Sequence, residues 1–414
     1  MVTPLRVCLD ARLGSGLSGG VEQVVIGLAA ALSRLPDGDE EYLFLAHPNQ
    51  DGWIRPYMQG PCRLLHSRLE YPGQPGRIRA LRRAARERAP FLSDRRRFVA
   101  DSDGTIERAG VEVMHFTFQE AFLTEVPSVY EPHDLQHLHL PEVFSERERR
   151  RREVVYRTHC ERAELVIAMT SWGKRDLVDQ YGLAPDKVEV VPPGSVLSEY
   201  PAPSPDQLGD LRVNFSLPEA FVLYPAQTWP HKNHLGLLDA LALIRDRHGI
   251  TIPLVCPGQK NHFYPRIADR AQELDLERTT WFPGFISTAE LRALYGLARG
   301  LVFPSFFEGW GMPVTEAFAS RVPVACSSAA GLPDIVGDAG LIFDPGLREE
   351  IADRVHRLWT NSALRDQLRE RGARRAERFS FDHAARLFRA HYRQIAGKRL
   401  PEEDRILLAS PPLA

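Results

Sequence analysis

The stretch Phe303-Pro304-Ser305-Phe306-Phe307-Glu308-Gly309-Trp310-Gly311-Met312-Pro313-Val314-Thr315-Glu316 sets two carboxylates around a glycine-rich turn. Ionised carboxylates accept hydrogen bonds and donate none, so Glu308 and Glu316 can each hold a polyol, one a hexose and the other a ribose. Gly309 and Gly311 let a phosphate or a hydroxyl approach the main chain closely. Proline is tolerated at the first position of a helix, so Pro313 places a helix start near Met312, with unpaired amides and the positive end of the dipole turned toward an anion. A cation for that anion comes from Lys232, within Tyr224-Pro225-Ala226-Gln227-Thr228-Trp229-Pro230-His231-Lys232-Asn233-His234. Charge builds on a diphosphate as it departs, and a fixed lysine stabilises it in place. The chain has five lysines against abundant arginines, so composition gives little reason for one at this point. Together these groups suit the gripping of a sugar nucleotide.

Such residues meet only if strands and helices carry them to one place. Short apolar strands at residues 5–9, 42–46, 113–116, 126–130 and 165–168 alternate with helices at 21–33 and 145–163. The second half repeats this, with strands at 220–223, 253–256, 279–282, 301–303, 324–326 and 341–343 between helices at 234–246, 264–274, 288–298 and 313–320. Alternation of this kind predicts an α/β protein of two Rossmann-like, doubly wound parallel-sheet domains. Ligands bind such sheets beyond the carboxyl ends of the strands, so a cleft faced by both domains is the expected site. The predicted domains are 1–196 and 216–380, joined by a Pro-rich polar linker at 197–215. A helix at 381–396 follows, then a poorly ordered tail at 397–414.

The totals narrow the class of protein. A chain of 414 residues with 43% hydrophobic content has room for two cores. A formal charge of −2 argues against a protein built mainly to bind nucleic acid, which needs a basic excess. Cys8, Cys62, Cys160, Cys256 and Cys326 are scattered without metal-ligand spacing and read as buried free thiols of a reducing compartment. Residues 1–9 lack the pattern of a secretion signal and no apolar run is long enough to cross a membrane, so a cytoplasmic location is expected. The segment 77–97, with Arg77, Arg79, Arg82, Arg83 and Arg86, is the strongest charge asymmetry. It fits peripheral contact with anionic lipid at the inner face of the membrane, or a phosphate-bearing acceptor, and equally a solvated helix.

Three motifs point elsewhere. Gly14-Ser15-Gly16-Leu17-Ser18-Gly19 matches a dinucleotide fingerprint, yet the next strand ends at His47-Pro48 without the acid that would hold a cofactor ribose. Gly19-Gly20 is better read as the turn into a helix. Asp101-Ser102-Asp103 is a D-x-D triplet in a poor strand and reads as a surface turn. In Glu131-Pro132-His133-Asp134-Leu135-Gln136-His137-Leu138-His139, alternation would put His137 and His139 on one face of an extended segment. No second ligand cluster supports a metal there, so no metal or organic cofactor is expected.

The run from 303 to 316, continued through Ala330-Gly331-Leu332-Pro333-Asp334-Ile335-Val336 and Gly340-Leu341-Ile342-Phe343-Asp344-Pro345, resembles the E-x7-E signature of retaining glycosyltransferases of family 4, which have the GT-B fold. The W-P-H-K-N stretch is similar to one branch of that family. The resemblance implies an acceptor-side N-terminal domain, a donor-side C-terminal domain and a last helix crossing back to the first. It implies transfer of a mannose- or glucose-like hexose from a GDP- or UDP-sugar to a hydroxyl of a sugar, glycolipid or natural product, without a metal. By matching positions it assigns Glu316 to the donor ribose, Glu308 to the sugar hydroxyls, Lys232 to the leaving diphosphate and His133 to the sugar from the opposite domain. Gly19, Gly20, Gly311, Met312 and Pro313 complete the donor cradle, and Gly258, Phe285 and Ile286 lie in loops that bracket the base. Where the family usually carries an arginine, this chain has Gln227, and His231 or helix amides share the charge. A nucleotide-sugar epimerase of the same fold and a catalytically inactive sugar-nucleotide binder remain as alternatives.

Overall fold

The computed structural model describes residues 4–14, 19–35, 38–69 and 98–410. The basic stretch 77–97, with its five singled-out arginines, and residues 15–18 of the glycine motif lie outside them. The chain divides into two α/β units, Met1–Gly194 with Phe381–Ala414, and Ser195–Ser380.

In the first unit the described strands are β1 (Leu5–Asp10), β2 (Glu40–Ala46), β3 (Cys62–His66), β4 (Ala100–Asp101), β5 (Val113–Phe116), β6 (Phe122–Leu123), β7 (Ser128–Tyr130), β8 (Leu165–Ala168) and β9 (Val188–Val190). Seven of them form a parallel sheet in the order β3-β2-β1-β5-β7-β8-β9, while β4 and β6 pair separately. Near-continuous burial along β1, β5 and β8 is what a parallel sheet covered on both faces requires. The long polar helix Glu146–Arg162 starts at Ser145, whose hydroxyl accepts from the amide of Glu148. The D-x-D triplet is a turn. Asp101 ends β4, and the Asp103 carboxylate accepts from Ser67 Oγ at 2.7 Å and the Thr105 amide at 2.9 Å.

The apolar helix Gly20–Ser33 packs against the last long helix, Phe381–Ile395. Gly27 makes that approach possible, because a Cβ there would strike the ring of Phe381. The segment beyond 397, expected to lack order, contains the helix Glu402–Ala409. Arg393 explains it: its half-buried guanidinium bridges Glu40 at 2.6 Å and Asp404 at 2.7 Å, and Asp404 is 2% exposed.

In the second unit β10 (Val222–Leu223), β11 (Leu254–Pro257), β12 (Thr280–Gly284), β13 (Gly300–Phe303), β14 (Val324–Ser327) and β15 (Gly340–Phe343) form a parallel sheet ordered β12-β11-β10-β13-β14-β15. Residues 197–215, expected as a linker, belong to this unit and are largely helical. A 3-10 turn at Val196–Glu199 is followed by the helix Pro205–Asn214, started by a reciprocal Ser204–Gln207 capping box. Arg292 bonds the carbonyls of Leu197 and Tyr200, which fastens the stretch down.

Candidate functional site

Strand order reverses between β10 and β13: one path runs outward through β11 and β12, the other through β14 and β15. At such a switch point the two outgoing loops leave a crevice between them. The loop after β10 carries Lys232 and the loop after β13 carries Glu308. Tyr224, fully buried, donates its hydroxyl to the Lys232 carbonyl at 2.6 Å and lies 3.2 Å from Ser305 Oγ. Asn233 caps the helix His234–His248 through its Oδ1, and its Nδ2 donates to the carbonyls of Pro304 at 3.0 Å and Pro345 at 2.8 Å. The amide of Phe306 donates to the carbonyl of His231 at 2.8 Å. Knitted in this way, Lys232 Nζ and Glu308 Oε1 form an ion pair at 2.6 Å with side chains 19% and 14% exposed. Two residues expected to serve different parts of a ligand are thus joined to each other.

Glu316 has a different environment. The helix runs Met312–Ala319, with Gly311 before it at φ 88° and Pro313 in its first turn. A side chain at Gly311 would be strained at that φ and would press on Leu332 at 2.7 Å. Glu316 is the fifth residue of this helix rather than a member of its first turn, and it is 5% exposed. Tyr295 donates to Glu316 Oε2 at 2.8 Å and to the Pro313 carbonyl at 3.2 Å. Among the described residues no donor is bonded to Oε1. Burial pushes the carboxyl up to about 7, with the Tyr295 hydroxyl opposing the shift.

The other residues of this unit expected to face the donor lie in the neighbouring loops. Gln227 Oε1 accepts from Trp229 Nε1 at 2.8 Å, so this side chain holds an exposed indole. Gly258, at φ 149°, lies so close to Ala226 that a Cβ would collide with its carbonyl, and its amide donates to the Gly284 carbonyl at 2.8 Å. Phe285 is 71% exposed and Ile286 half-buried at the start of the loop after β12. His231, Met312 and Pro313 are half-buried.

In the first unit Gly19, at φ 55°, turns the chain into the helix Gly20–Ser33, and both glycines are exposed. His133 follows β7 in a left-handed conformation, φ 66°, and its Nε2 lies 2.9 Å from the Thr117 carbonyl. His137 and His139 are not on an extended segment. They occupy the single helical turn Gln136–His139, whose start is fixed by Asp134 accepting from the Gln136 amide at 3.0 Å. His137 meets Glu153 at 3.2 Å and His139 meets Asp176 at 2.8 Å, on separate helices. Among the described residues no group of three His, Cys, Asp or Glu side chains is placed to hold a metal ion. All five cysteines are free and buried, and burial raises the Cys62 thiol to about 11.

Sequence reading missed Tyr295, Asn233 and a fully buried Asp10–Arg12 pair at the end of β1. Arg12 binds both carboxylate oxygens of Asp10, at 2.9 and 2.7 Å. Two of the three carried a signal. An Asn before an apolar periodic stretch marks a helix cap, and an Asp and an Arg two positions apart at the end of an extended run fall on the same face, within reach of each other. Nothing around Tyr295 distinguishes it from a core aromatic.

Comparisons with known proteins agree with this architecture. The model of Glycosyltransferase Family 4 matches residues 18–198, and that of Glycosyl transferases group 1 matches residues 212–375. O-antigen chain mannosyltransferase B of Escherichia coli is 27% identical over 61% of this chain and 66% of its own length. D-inositol 3-phosphate glycosyltransferase of a Nocardioides species is 30% identical over 55% of this chain and 52% of its own. The aligned stretches thus span less than two thirds of these relatives. The crystal structure of Anabaena HepE in complex with UDP and glucose superposes with a TM-score of 0.70 at 18% identity, over 94% of this chain and 100% of the other. Two parallel-sheet units, each matched by its own model, show the GT-B fold, and the chain belongs to the glycosyltransferases of the family 4 type.

Proposed function

We propose that this chain is a retaining, metal-independent hexosyltransferase that moves a mannose- or glucose-like sugar from a GDP- or UDP-sugar to a hydroxyl of a sugar, glycolipid or natural product. The observation that carries the reading is the Lys232–Glu308 pair at the switch point of the second sheet, 2.6 Å apart and partly open to solvent. Lys232 would hold the leaving diphosphate and Glu308 the sugar hydroxyls. The Met312 amide and the positive end of the dipole at the start of the helix Met312–Ala319 would add charge stabilisation. Oε1 of Glu316 is left for a ribose hydroxyl while Tyr295 occupies Oε2. The amide NH2 of Gln227, whose oxygen serves Trp229, and His231 would share the charge that an arginine bears in similar enzymes. Main-chain groups of Gly258, Phe285 and Ile286 would bracket the base.

No carboxylate is assigned as a nucleophile. In the favoured front-face reaction the bond from the anomeric carbon to the diphosphate oxygen breaks, the acceptor oxygen bonds to that carbon on the same face, and the acceptor proton passes to the departing phosphate oxygen. Exclusion of water from the site would protect the donor from hydrolysis. Contact of residues 77–97 with an anionic membrane belongs to the same proposal.

A thermal-shift panel of UDP- and GDP-sugars tests the reading, since a ligand that binds only the native state raises Tm. At least one raises it, and Glu316→Ala weakens that response. No shift across the panel at saturating concentration would overturn the proposal. Conversion of a donor without any acceptor would identify an epimerase instead, and binding without either reaction an inactive binder.

A further inference from the structure

Behind His133 lies a chain of buried polar groups that core packing does not require. β5 and β7 are neighbours, with His115 opposite Val129, and the amide of Glu131 donates to the Phe116 carbonyl. Glu131, 3% exposed, holds His115 Nε2 at 2.8 Å with its Oε1 and lies 4.0 Å from His133 Nε2 with its Oε2. His115 Nδ1 is 2.6 Å from the hydroxyl of Tyr392, on the last long helix, and the imidazole is walled by Phe388 at 4.8 Å between centroids. Burying a carboxylate and an imidazole costs free energy that apolar residues of similar size would not. A reason for keeping them lies in what they face.

Given the contact with the donor sugar that the family resemblance implies for His133, we infer that Glu131, oriented by His115 and Tyr392, is a positioning residue that fixes the imidazole tautomer of His133 and leaves Nδ1 as the atom offered to a sugar hydroxyl. A carbonyl oxygen only accepts, so the contact with Thr117 requires a proton on His133 Nε2. The opposite tautomer would turn a lone pair of Nε2 toward two oxygens, the Thr117 carbonyl and Glu131 Oε2. Among the described residues nothing is bonded to Nδ1. The directions upstream are set in the same way. Burial holds the Tyr392 phenol well above its usual range, so it keeps the proton it can donate to His115 Nδ1, 2.6 Å away, the direction that puts the imidazole proton on Nε2, facing the carboxylate. His115 then carries its proton on Nε2 and donates it to Glu131 Oε1. The links are hydrogen bonds from the C-terminal helix as far as Glu131, and the last, from Glu131 Oε2 to His133 Nε2 at 4.0 Å, is electrostatic and adds to the hydrogen bond with the Thr117 carbonyl.

Protein labelled with 15N-histidine separates the tautomers, with His133 assigned through His133→Gln. In the wild type His133 is protonated at Nε2 alone. In Glu131→Gln, isosteric but uncharged, a second tautomer appears and kcat with UDP-glucose or GDP-mannose falls by about tenfold, the cost of a loosened catalytic contact, with donor KM little changed. Tyr392→Phe keeps the ring and gives the same two changes in weaker form. If Glu131 acts through His133, Glu131→Gln costs nothing further in a His133→Ala background. An Nδ1-protonated His133 in the wild type, a tautomer indifferent to Glu131→Gln, or an equal loss of kcat in both backgrounds would each overturn the inference. Should neither sugar nucleotide be bound or turned over, the functional reading fails separately, while the spectrum still decides the tautomer.

Discussion

With Glu316 in its proposed place on the donor ribose, the binding of a sugar nucleotide depends on pH in a calculable way. The Glu316 carboxyl is raised from 4.5 to about 7 because burial disfavours the anion. A ribose would donate hydroxyl hydrogens to that group and so favours the ionised form. The free protein must therefore give up a proton before or as the nucleotide binds. With a group near 7, affinity for UDP-glucose or GDP-mannose is level above pH 8. It is about tenfold weaker at pH 6 and about a hundredfold weaker at pH 5, one decade per unit below the midpoint. The diphosphate diester of either probe stays ionised throughout, so the profile reports the protein. Calorimetry at pH 6 in two buffers of different ionisation enthalpy should show close to one proton released per nucleotide, and Glu316→Gln should abolish the release. The stability of the ligand-free protein runs the other way. Between 4.5 and 7 the folded state holds the proton and the unfolded state does not, so stability falls as pH rises through that window. The cost is fully present above it. Its size is roughly 3 kcal/mol at about 1.4 kcal/mol per unit, an upper value because the buried site can relax. Glu316→Gln is thus expected to raise Tm at pH 8 and leave it nearly unchanged at pH 4. A flat affinity profile, or an equal slope in the Gln variant, would refute the assignment of Glu316 as the group that titrates on binding.

Three further outcomes follow from named contacts. Glu308→Gln keeps an acceptor for Lys232 but removes the negative charge that pairs with it, so, with the phosphates where they are proposed, UDP or GDP alone should bind several-fold more tightly in calorimetry while sugar transfer slows. Tyr295→Phe leaves Glu316 Oε2 without its donor and should lower stability by about 1–3 kcal/mol, the cost of an unsatisfied buried polar group, measured by urea unfolding at pH 8. Arg393→Ala strands the buried Glu40 and Asp404 carboxylates and should cost about 3–5 kcal/mol, with the helix Glu402–Ala409 becoming sensitive to protease.

What could be read from the sequence was local. The helix start at Met312 is announced by Gly311 and Pro313, one on each side of it, and the alternation of strands and helices is visible because each element carries its own periodicity. The Lys232–Glu308 pair spans 76 positions and exists because β10 and β13 are adjacent, an order that no local pattern encodes. Burial of Glu316 was hidden for the same reason, since Tyr295 comes from another helix. The extended reading of residues 131–139 failed because a single turn is too short to show helical spacing, and the mark it carried was Asp134, whose carboxylate accepts from the amide two residues on. Helices Arg348–Thr360 and Ser362–Ala376 went unread, although Ile351, Ala352, Val355 and Leu358 recur at helical intervals in the first of them. Charge-rich composition masked the stripe.

The first unit is assembled from two ends of the chain, whereas the second is one continuous stretch. On a ribosome, residues 195–380 emerge complete before the ring that fills the space over Gly27 has been made, so the later half is free to fold while the earlier half waits. A nascent N-terminal portion therefore carries an uncovered apolar helix, Gly20–Ser33, for most of translation. Premature stops ahead of Phe381 should release polypeptides that aggregate or recruit chaperones, even though they retain every residue of the loops after β10 and β13.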